Sequence, residues 1–201
     1  MDRLRTGCPW DREQTHRSLT KYLLEEAYEV IEAIDNEDYE HLREELGDLL
    51  LQVYFHARIA SENPDEGFDI EDVARGIVDK LVYRHPHVFA GLEVADADEV
   101  DRNWEALKAA EKQRTSPFEG IPMNLPALLF ADKALSRLEK AGLETVRKTG
   151  QGASEASSTA PTTGEPGAIG ERLLDLVREA RSQGLDPEQE LRDAVRRLIE
   201  G

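Results

Sequence analysis

The sequence predicts an all-α fold, and three observations lead to it. Apolar residues recur every three or four positions through most of the chain, which is the period of an amphipathic helix. The strict alternation of apolar and polar residues that is typical of strands is almost absent. Hydrophobic residues make up 39% of the 201 residues, which is enough for a helical core. A chain of this length suits one domain with an appendage, or two small domains.

Capping residues, prolines and glycines set the limits of the predicted helices. Asp69 is predicted to cap the start of a helix that stops at Pro86, and Gly142 marks another helix end. The predicted helices lie at residues 15 or 18 to 34, 38 to 61, 69 to 85, 98 to 114, 125 to 141, 169 to 182 and 186 to 199. Residues 144–167 consist of Gly, Ser, Thr, Pro, Ala and Glu without an apolar pattern, which predicts a flexible linker.

Two acidic motifs lie at the same phase on the first two predicted helices. At about 100° of rotation per residue, Glu26 and Glu29 lie roughly 90° and 150° from the centre of an apolar stripe, and Glu45 and Asp48 lie at about the same offsets from theirs. The two stripes are Leu23, Ala27, Val30 and Ile34, and Leu42, Leu46, Leu49, Leu50 and Val53. If the stripes pack face to face, the four carboxylates converge at the edge of the shared core.

Carboxylates held this close repel one another unless a cation lies between them. A cluster that contains only oxygen donors suits Mg²⁺ or Mn²⁺ better than zinc. The alternative is a solvated surface, because the chain has 42 acidic residues and such spacings also arise by chance. The matched phase and the position beside the apolar stripes favour a metal site, whereas Glu32, Glu37 and Glu40 are interpreted as solvated surface.

These residues resemble the motif of the all-α nucleoside triphosphate pyrophosphatases, in which Glu-Glu-x-x-Glu is followed by Glu-x-x-Asp. Other strings resemble the MazG branch of that superfamily, in the same order over about residues 4 to 143. They are Cys8-Pro9-Trp10-Asp11, Glu44-Glu45-Leu46-Gly47-Asp48-Leu49-Leu50, Arg84-His85-Pro86-His87-Val88-Phe89, Trp104-Glu105, Ile121-Pro122 and Leu125-Pro126-Ala127-Leu128.

The resemblance implies a four-helix-bundle-like MazG domain over residues 1–143, completed by dimerisation into a homodimer or higher oligomer. It implies Mg²⁺-dependent hydrolysis of NTP or dNTP between the α- and β-phosphates, giving NMP or dNMP and pyrophosphate, with Mn²⁺ as a possible substitute. Nucleotide-pool sanitation or control is the implied role. The alternatives are a narrower enzyme, such as a phosphoribosyl-ATP or dCTP/dUTP pyrophosphatase, and a non-catalytic helical dimer that binds nucleotides.

The implied catalytic set is Glu25, Glu26, Glu29, Glu45 and Asp48, with the last four as metal ligands. Helical phase alone places Glu25 in solvent, but the family motif includes it, at a second ion or at the attacking water. The resemblance assigns Lys80, Arg84 and Lys108 to the phosphates, and Trp104 to stacking on the base or closing the pocket. Lys21 is a weaker phosphate candidate, because the basic residue of the family lies nearer position 22, which is Tyr22 here.

The tail at residues 168–201 is interpreted as a vestigial second MazG-like segment without a metal site. Its run Ala168-Ile169-Gly170-Glu171-Arg172-Leu173-Leu174 resembles residues 45–51, but Ala168 replaces the ligand glutamate and Glu171 the aspartate. The alternative is an unrelated helical hairpin.

Composition excludes several other classes. A net charge of −17 argues against a nucleic-acid or anionic-membrane surface, so the predicted partners are the nucleotide and a second copy of the chain. One cysteine, Cys8, excludes an internal disulfide and fits the cytoplasm, and neither a membrane span nor a signal peptide is expected. His85 and His87 are interpreted as helix-end or packing residues. His16, in Glu13-x-x-His16, is given little weight as part of a di-iron unit, which needs that unit twice.

Overall fold

The computed structural model describes residues 1–112, 115–143 and 167–200, and these residues form helices without strands. The all-α prediction is therefore confirmed for them. The helices are α1 (Asp2–Gly7), α2 (Pro9–Glu13), α3 (His16–Asp35), α4 (Tyr39–Ala60), α5 (Ile70–Arg84), α6 (Pro86–Phe89), α7 (Ala97–Lys112), α8 (Ala127–Lys140), α9 (Ala168–Ser182) and α10 (Pro187–Glu200).

The long helices begin where their capping residues predict. Thr15 and Ser18 form a capping box at the start of α3, and the Asp38 side chain accepts hydrogen bonds from the first backbone N–H groups of α4. Asp69 caps α5, which ends at Arg84, ahead of Pro86. The short helices α1, α2 and α6 were not predicted. Most of the predicted linker, residues 144–166, lies outside the described residues, as do residues 113 and 114.

The chain divides into two compact units, residues 1–108 and 109–201. In the first unit, α3 and α4 form an antiparallel hairpin across a short turn, and α5 packs against α4. The buried apolar residues of this unit include Leu19 and Ala33 on α3, and Phe55, Ala57 and Ala60 on α4. The hairpin positions the acidic motifs of α3 opposite those of α4.

The expected face-to-face packing of the two apolar stripes is wrong. Leu46 and Leu50 on α4 are 49% and 54% exposed, whereas Glu45 and Gln52 are only 7% and 5% exposed. The α3–α4 contact is therefore rotated away from the stripe and toward these polar side chains. The physical reason is that a two-helix hairpin buries only one narrow face of each helix, so much of a wide apolar stripe stays uncovered within one chain.

In the second unit, α8 packs against both α9 and α10. Leu135 of α8 and Val177 of α9 are buried, and Arg181 of α9 forms ion pairs with Asp132 and Glu139 of α8. The tail thus packs on α8 within this unit. The sequence-based boundary at residue 143 stays a prediction. None of the helices described is long and apolar enough to cross a membrane.

Candidate metal centre

Three carboxylates come together between α3 and α4. Glu26 and Glu29 lie on α3 and Glu45 on α4, and one carboxylate oxygen from each lies within 4.8 Å of the other two. Glu45 is buried, and Glu26 and Glu29 are half-buried. The matched helical phase predicted this convergence, although the packing of the stripes that was expected to produce it does not occur.

The pKa values of two of these carboxyl groups are raised, because they are buried and lie close to other carboxylates. Burial raises the pKa of Glu26, and the negative charges of Asp48, Glu29 and Glu45 raise it further. Burial also raises the pKa of Glu45, as do Glu29 and Asp48, while His41 acts in the opposite direction. Like charges that repel in this way favour a bound cation.

Asp48 and Glu25 differ in their burial and in their electrostatic effect on this cluster. Asp48 is half-buried and lies outside the compact group of three oxygens, but its charge acts on both Glu26 and Glu45. Glu25 is exposed, as its helical phase predicts. The three glutamates therefore form the centre of the site, and Asp48 is a neighbouring acidic group.

The donor set fits a hard divalent cation. Carboxylate oxygens are the ligands that Mg²⁺ and Mn²⁺ prefer, and Mg²⁺ binds through one or two carboxylates together with water and substrate phosphates. His41 is a basic residue that reaches this cluster, and its Nε2 lies 3.0 Å from Glu45 Oε1. One imidazole does not balance the charge of four carboxylates, and a divalent cation would offset the remaining repulsion.

The candidate phosphate-binding residues Lys80, Arg84 and Lys108 lie on α5 and α7, and Trp104 also lies on α7. Arg84 is 4% exposed, and its guanidinium carbon lies 5.2 Å from the centroid of the Trp104 ring. The His85 ring meets the same tryptophan edge to face at 4.9 Å. Lys108 Nζ pairs with Glu105 Oε1 at 3.1 Å, and Lys80 is exposed.

Lys21 lies in the N-terminal half of α3, next to a group of aromatic side chains. Its Nζ atom is 4.4 Å from the centroid of the Tyr22 ring. The Trp10 ring meets Tyr22 at 5.9 Å and Phe55 at 6.4 Å, in both cases edge to face. Lys21 is thus held by a cation–π contact, and its predicted role at the phosphates stays a prediction.

Sequence reasoning missed several polar residues of the hairpin. The four-residue spacing of His41 and Glu45 could have indicated their contact.

His16 Nδ1 lies 2.8 Å from His56 Nδ1, and burial together with the His16 charge lowers the pKa of His56. Gln52 is buried, and its Oε1 has no hydrogen-bond partner among the described residues.

His85 has the capping role that the sequence indicated. Its Nδ1 lies 2.7 Å from the carbonyl oxygen of Leu81, and its backbone N–H donates to the same carbonyl. Because a carbonyl only accepts, the side-chain contact places a proton on Nδ1. The imidazole is thereby fixed beside Trp104.

Comparisons with known proteins identify relatives of this chain. The sequence profile of the MazG nucleotide pyrophosphohydrolase domain matches residues 14–89, a stretch that contains all four candidate ligands. A solved structure, that of a mazG-related protein from Thermotoga maritima, is 30% identical, has a TM-score of 0.46, and covers 53% of this chain and 91% of its own.

Curated relatives extend the match along the chain. An uncharacterized 26.1 kDa protein of Streptomyces cacaoi is 47% identical over 97% of this chain and 75% of its own length. The nucleoside triphosphate pyrophosphohydrolase of Mycobacterium tuberculosis is 50% identical over 71% of this chain, which spans only 44% of that relative. The nucleoside triphosphate pyrophosphohydrolase/pyrophosphatase MazG of Thermotoga maritima is 38% identical over 100% of this chain and 80% of its own. The chain therefore belongs to the MazG family.

Proposed function

We propose that this protein is a Mg²⁺-dependent nucleoside triphosphate pyrophosphohydrolase that acts in nucleotide-pool sanitation or control. The observation that carries the proposal is the group of three glutamate carboxylates within 4.8 Å of one another. Membership of the MazG family supports it, as do the relatives that bear the name nucleoside triphosphate pyrophosphohydrolase. In the reaction, water adds to the α-phosphorus, the bond from that atom to its bridging oxygen breaks, and pyrophosphate leaves.

The side chains of the hairpin would hold the cation and set the local charge. Glu26, Glu29 and Glu45 supply the oxygens, with Asp48 as the fourth ligand. Mg²⁺ bound there would supply charge neutralisation at the phosphates and a lowered pKa of bound water.

The basic residues of α5 and α7 would complete the site around the triphosphate. Arg84, Lys80 and Lys108 are the proposed phosphate contacts, with Lys21 as a further candidate. Lys108 would exchange its pairing with Glu105 for a phosphate oxygen, a change that costs little because both side chains are partly solvated. Glu25 is proposed to act at a second ion or at the attacking water.

The proposal is tested by measuring pyrophosphate release from each common NTP and dNTP in the presence of Mg²⁺. We expect release from several nucleotides, with monophosphate as the second product. Release from one deoxypyrimidine nucleotide, or from phosphoribosyl-ATP, would indicate the narrower enzyme. No release under any condition would indicate a non-catalytic nucleotide-binding protein. Repeating the assay with Mn²⁺ and with a chelator identifies the cation.

A matched set of substitutions on α3 tests the assignment of its ligands. We expect Glu26→Gln and Glu29→Gln to reduce turnover by about 100-fold or more, since each removes a ligand charge while changing little volume. The control is Glu32→Gln, a change to an exposed residue of the same helix, which should leave turnover near the wild-type rate. Equal losses in all three variants would refute the assignment.

We also propose that the protein is a homodimer, or a higher oligomer of the same chain. Half-exposed apolar side chains cover one side of α4 and extend along α5, and they are Leu46, Leu50, Val53, Ile77, Val78, Leu81 and Val82. A second copy of the hairpin would cover them and complete a four-helix bundle. Sedimentation should show at least a dimer at micromolar concentration, and a stable monomer would contradict this proposal.

A further inference from the structure

We infer that His85 is a positioning residue, which holds Trp104 against Arg84 and thereby fixes α7 on the end of α5. In this arrangement the two helices present Arg84 and Lys108 to the phosphates of the substrate as one basic group. The inference rests on the proposed function, because it takes Arg84 and Lys108 as phosphate contacts. It gives His85 a part in substrate binding in addition to its capping of α5.

The imidazole of His85 has little freedom to move. Its Nδ1 and its backbone N–H both donate to the carbonyl oxygen of Leu81, at 2.7 and 3.1 Å. Its own carbonyl oxygen accepts from the backbone N–H groups of Val88 and Phe89, in the short helix that begins at Pro86. Side chain and backbone are therefore bonded on both sides of the junction between α5 and α6, and these hydrogen bonds set the direction of the ring.

Trp104 is the residue of α7 that meets this fixed ring. The two rings approach edge to face at 4.9 Å, and the guanidinium carbon of Arg84 lies 5.2 Å from the centroid of the same indole. All three residues belong to the first compact unit. No residue of α7 is buried, and all of that helix lies in the described part of the chain. A helix without a buried residue has little core packing to fix its rotation, so the contacts of Trp104 become decisive for it.

Helical spacing relates the position of Trp104 to that of Lys108. Lys108 follows Trp104 by four residues, so it lies about 6 Å further along α7 and within about 40° of the same face. Its Nζ pairs with Glu105 Oε1 at 3.1 Å, and its side chain is 23% exposed. A rotation of α7 by one residue, about 100°, would turn Trp104 away from the end of α5 and Lys108 with it. The contact of Trp104 with His85 and Arg84 therefore also fixes the direction of Lys108.

Basic side chains that are already in place matter in a protein with a net charge of −17. A triphosphate has to be received beside an acidic centre, against the repulsion of its carboxylates. A basic group that is held in its binding position loses less freedom when a phosphate binds than one that has to be ordered first. Loss of the ring contact of His85 should therefore weaken phosphate binding although the charges of Arg84 and Lys108 are unchanged.

A matched pair of substitutions separates the ring of His85 from its cap. His85→Phe keeps an aromatic ring beside Trp104 but cannot donate to Leu81, whereas His85→Asn keeps a donor and loses the ring. We expect calorimetry with Mg²⁺ and pyrophosphate to show binding weakened about fivefold by His85→Asn, in the range of one aromatic contact, and a smaller loss for His85→Phe. KM for nucleoside triphosphates should rise with it, with kcat within about twofold of wild type. Wild-type affinity of His85→Asn, or a larger loss for His85→Phe, would overturn the inference.

Tryptophan fluorescence reports the contact itself. In a Trp10→Phe background, Trp104 is the single tryptophan. We expect His85→Asn to increase the quenching of its emission by acrylamide and to lower its anisotropy, because the indole is released from α5. Mn²⁺ binding at the acidic centre, followed by EPR, should be unchanged, since α3 and α4 hold that cluster. An unchanged Trp104 signal, or a loss of Mn²⁺ binding, would contradict the positioning role.

A double variant tests whether His85 acts through Lys108. If it does, adding His85→Asn to Lys108→Met should weaken pyrophosphate binding little beyond the loss in Lys108→Met alone, because the group that His85 positions is then missing. Fully additive losses would overturn the route through α7. The control is Arg102→Met, which removes an exposed positive charge from the same helix and should leave binding within about twofold of wild type.

Failure of the proposed function can be told apart from failure of this inference. Absence of pyrophosphate release from every nucleotide would refute the proposed function. The calorimetry with pyrophosphate and the fluorescence of Trp104 do not require turnover, so they would still decide the role of His85.

Discussion

The hairpin of α3 and α4 and the helices α8 and α9 arrange their charges in opposite ways. On the hairpin, the carboxylates of Glu26, Glu29 and Glu45 lie together, and their mutual repulsion raises pKa values. Between α8 and α9, Arg181 lies between two carboxylates, with Nη1 2.5 Å from Asp132 and Nη2 2.7 Å from Glu139. Carboxylates balanced by a guanidinium stabilise a fold. Carboxylates that repel one another cost stability unless a cation binds, which indicates a functional site.

Two similar sequence runs in the two regions sharpen this contrast. Glu45 lies in the middle of α4, buried and facing α3, and Asp48 lies one turn later. In the tail, the corresponding Ala168 is also buried, but it is the first residue of α9, and Glu171 is exposed. The same pattern of small and apolar residues therefore supports a helix in both places, but only α4 presents carboxylates to a facing acidic helix.

The largest expected effect comes from neutralising the acidic centre. We expect Glu45→Gln or Asp48→Asn to reduce pyrophosphate release by about 100-fold or more, because each removes a ligand charge with little change in volume. Helical content measured by circular dichroism should be nearly unchanged. The control is Glu171→Gln, at the position in the tail that corresponds to Asp48, which should keep wild-type turnover. Near-normal turnover of the first two variants at saturating Mg²⁺ would contradict the metal assignment.

Periodicity predicted the acidic cluster because the information is local. Four residues of known phase on two consecutive helices, joined by a short turn, can only face one another in a few ways. The predicted cap Asp69 likewise gave a correct helix start, and the starts predicted for α3 and α4 are close to the observed ones, since a cap depends on its immediate neighbours. By contrast, α1, α2 and α6 have four to six residues each, which is too short for an apolar period to appear.

The rotation of each helix about its own axis could not be predicted from the sequence. The wide apolar stripe of α4 suggested that Leu46 and Leu50 face α3, but the contact with α3 buries Glu45 and Gln52 instead. A small rotation exchanges a leucine for a glutamate at the interface, and the choice depends on what covers the remaining face. Contacts between separate helices, such as those of Trp104 with Arg84 and His85, depend on the same unknown rotation and on loop paths.

Removing the tail should affect the second region more strongly than the first. Every proposed ligand and phosphate contact precedes residue 143, so a chain truncated there should keep pyrophosphate release per folded molecule within about twofold. The loss of α9 and α10 uncovers Leu135, which is 3% exposed in the full chain, so solubility and the thermal midpoint should fall. The measurement compares the midpoint and the initial rate of the two chains. Normal melting with loss of activity would mean that the tail contributes to the site.

A smaller effect is expected from breaking the ion pairs of the second unit. Arg181→Met should lower the free energy of unfolding of that unit by about 1 kcal/mol, since it leaves Asp132 and Glu139 without their guanidinium partner. The control on the same helix is Arg172→Met, a change to an exposed residue that should contribute little. Urea unfolding of both variants measures the difference. Turnover should be unchanged in both, and equal destabilisation would refute the special role of Arg181.

The smallest expected effect is a pH dependence of stability that the acidic centre imposes in the absence of metal. The pKa values of Glu26 and Glu45 are raised in the folded state. At a pH between the unfolded and the folded pKa of these groups, the folded state therefore binds more protons than the unfolded state. Stability from these groups is therefore fully present below the ordinary glutamate pKa and is lost as pH rises through the raised values. Mg²⁺ should restore it at neutral pH by binding the ionised carboxylates.

The thermal midpoint against pH in chelator, for wild type and Glu45→Gln, measures this contribution. Wild-type stability should decline more steeply as pH rises above the ordinary glutamate range, and Mg²⁺ should raise the wild-type midpoint more than that of the variant. Wild type has to be compared with Glu45→Gln because Glu62 also makes stability depend on pH. Its pKa is lowered by its hydrogen bond with Arg5, so it adds a change of stability with pH of opposite sign, equally in both proteins. Glu171→Gln should follow the wild-type curve. Identical slopes for wild type and Glu45→Gln would show that repulsion at the acidic centre does not cost stability, and the contrast between the two regions would then be one of geometry alone.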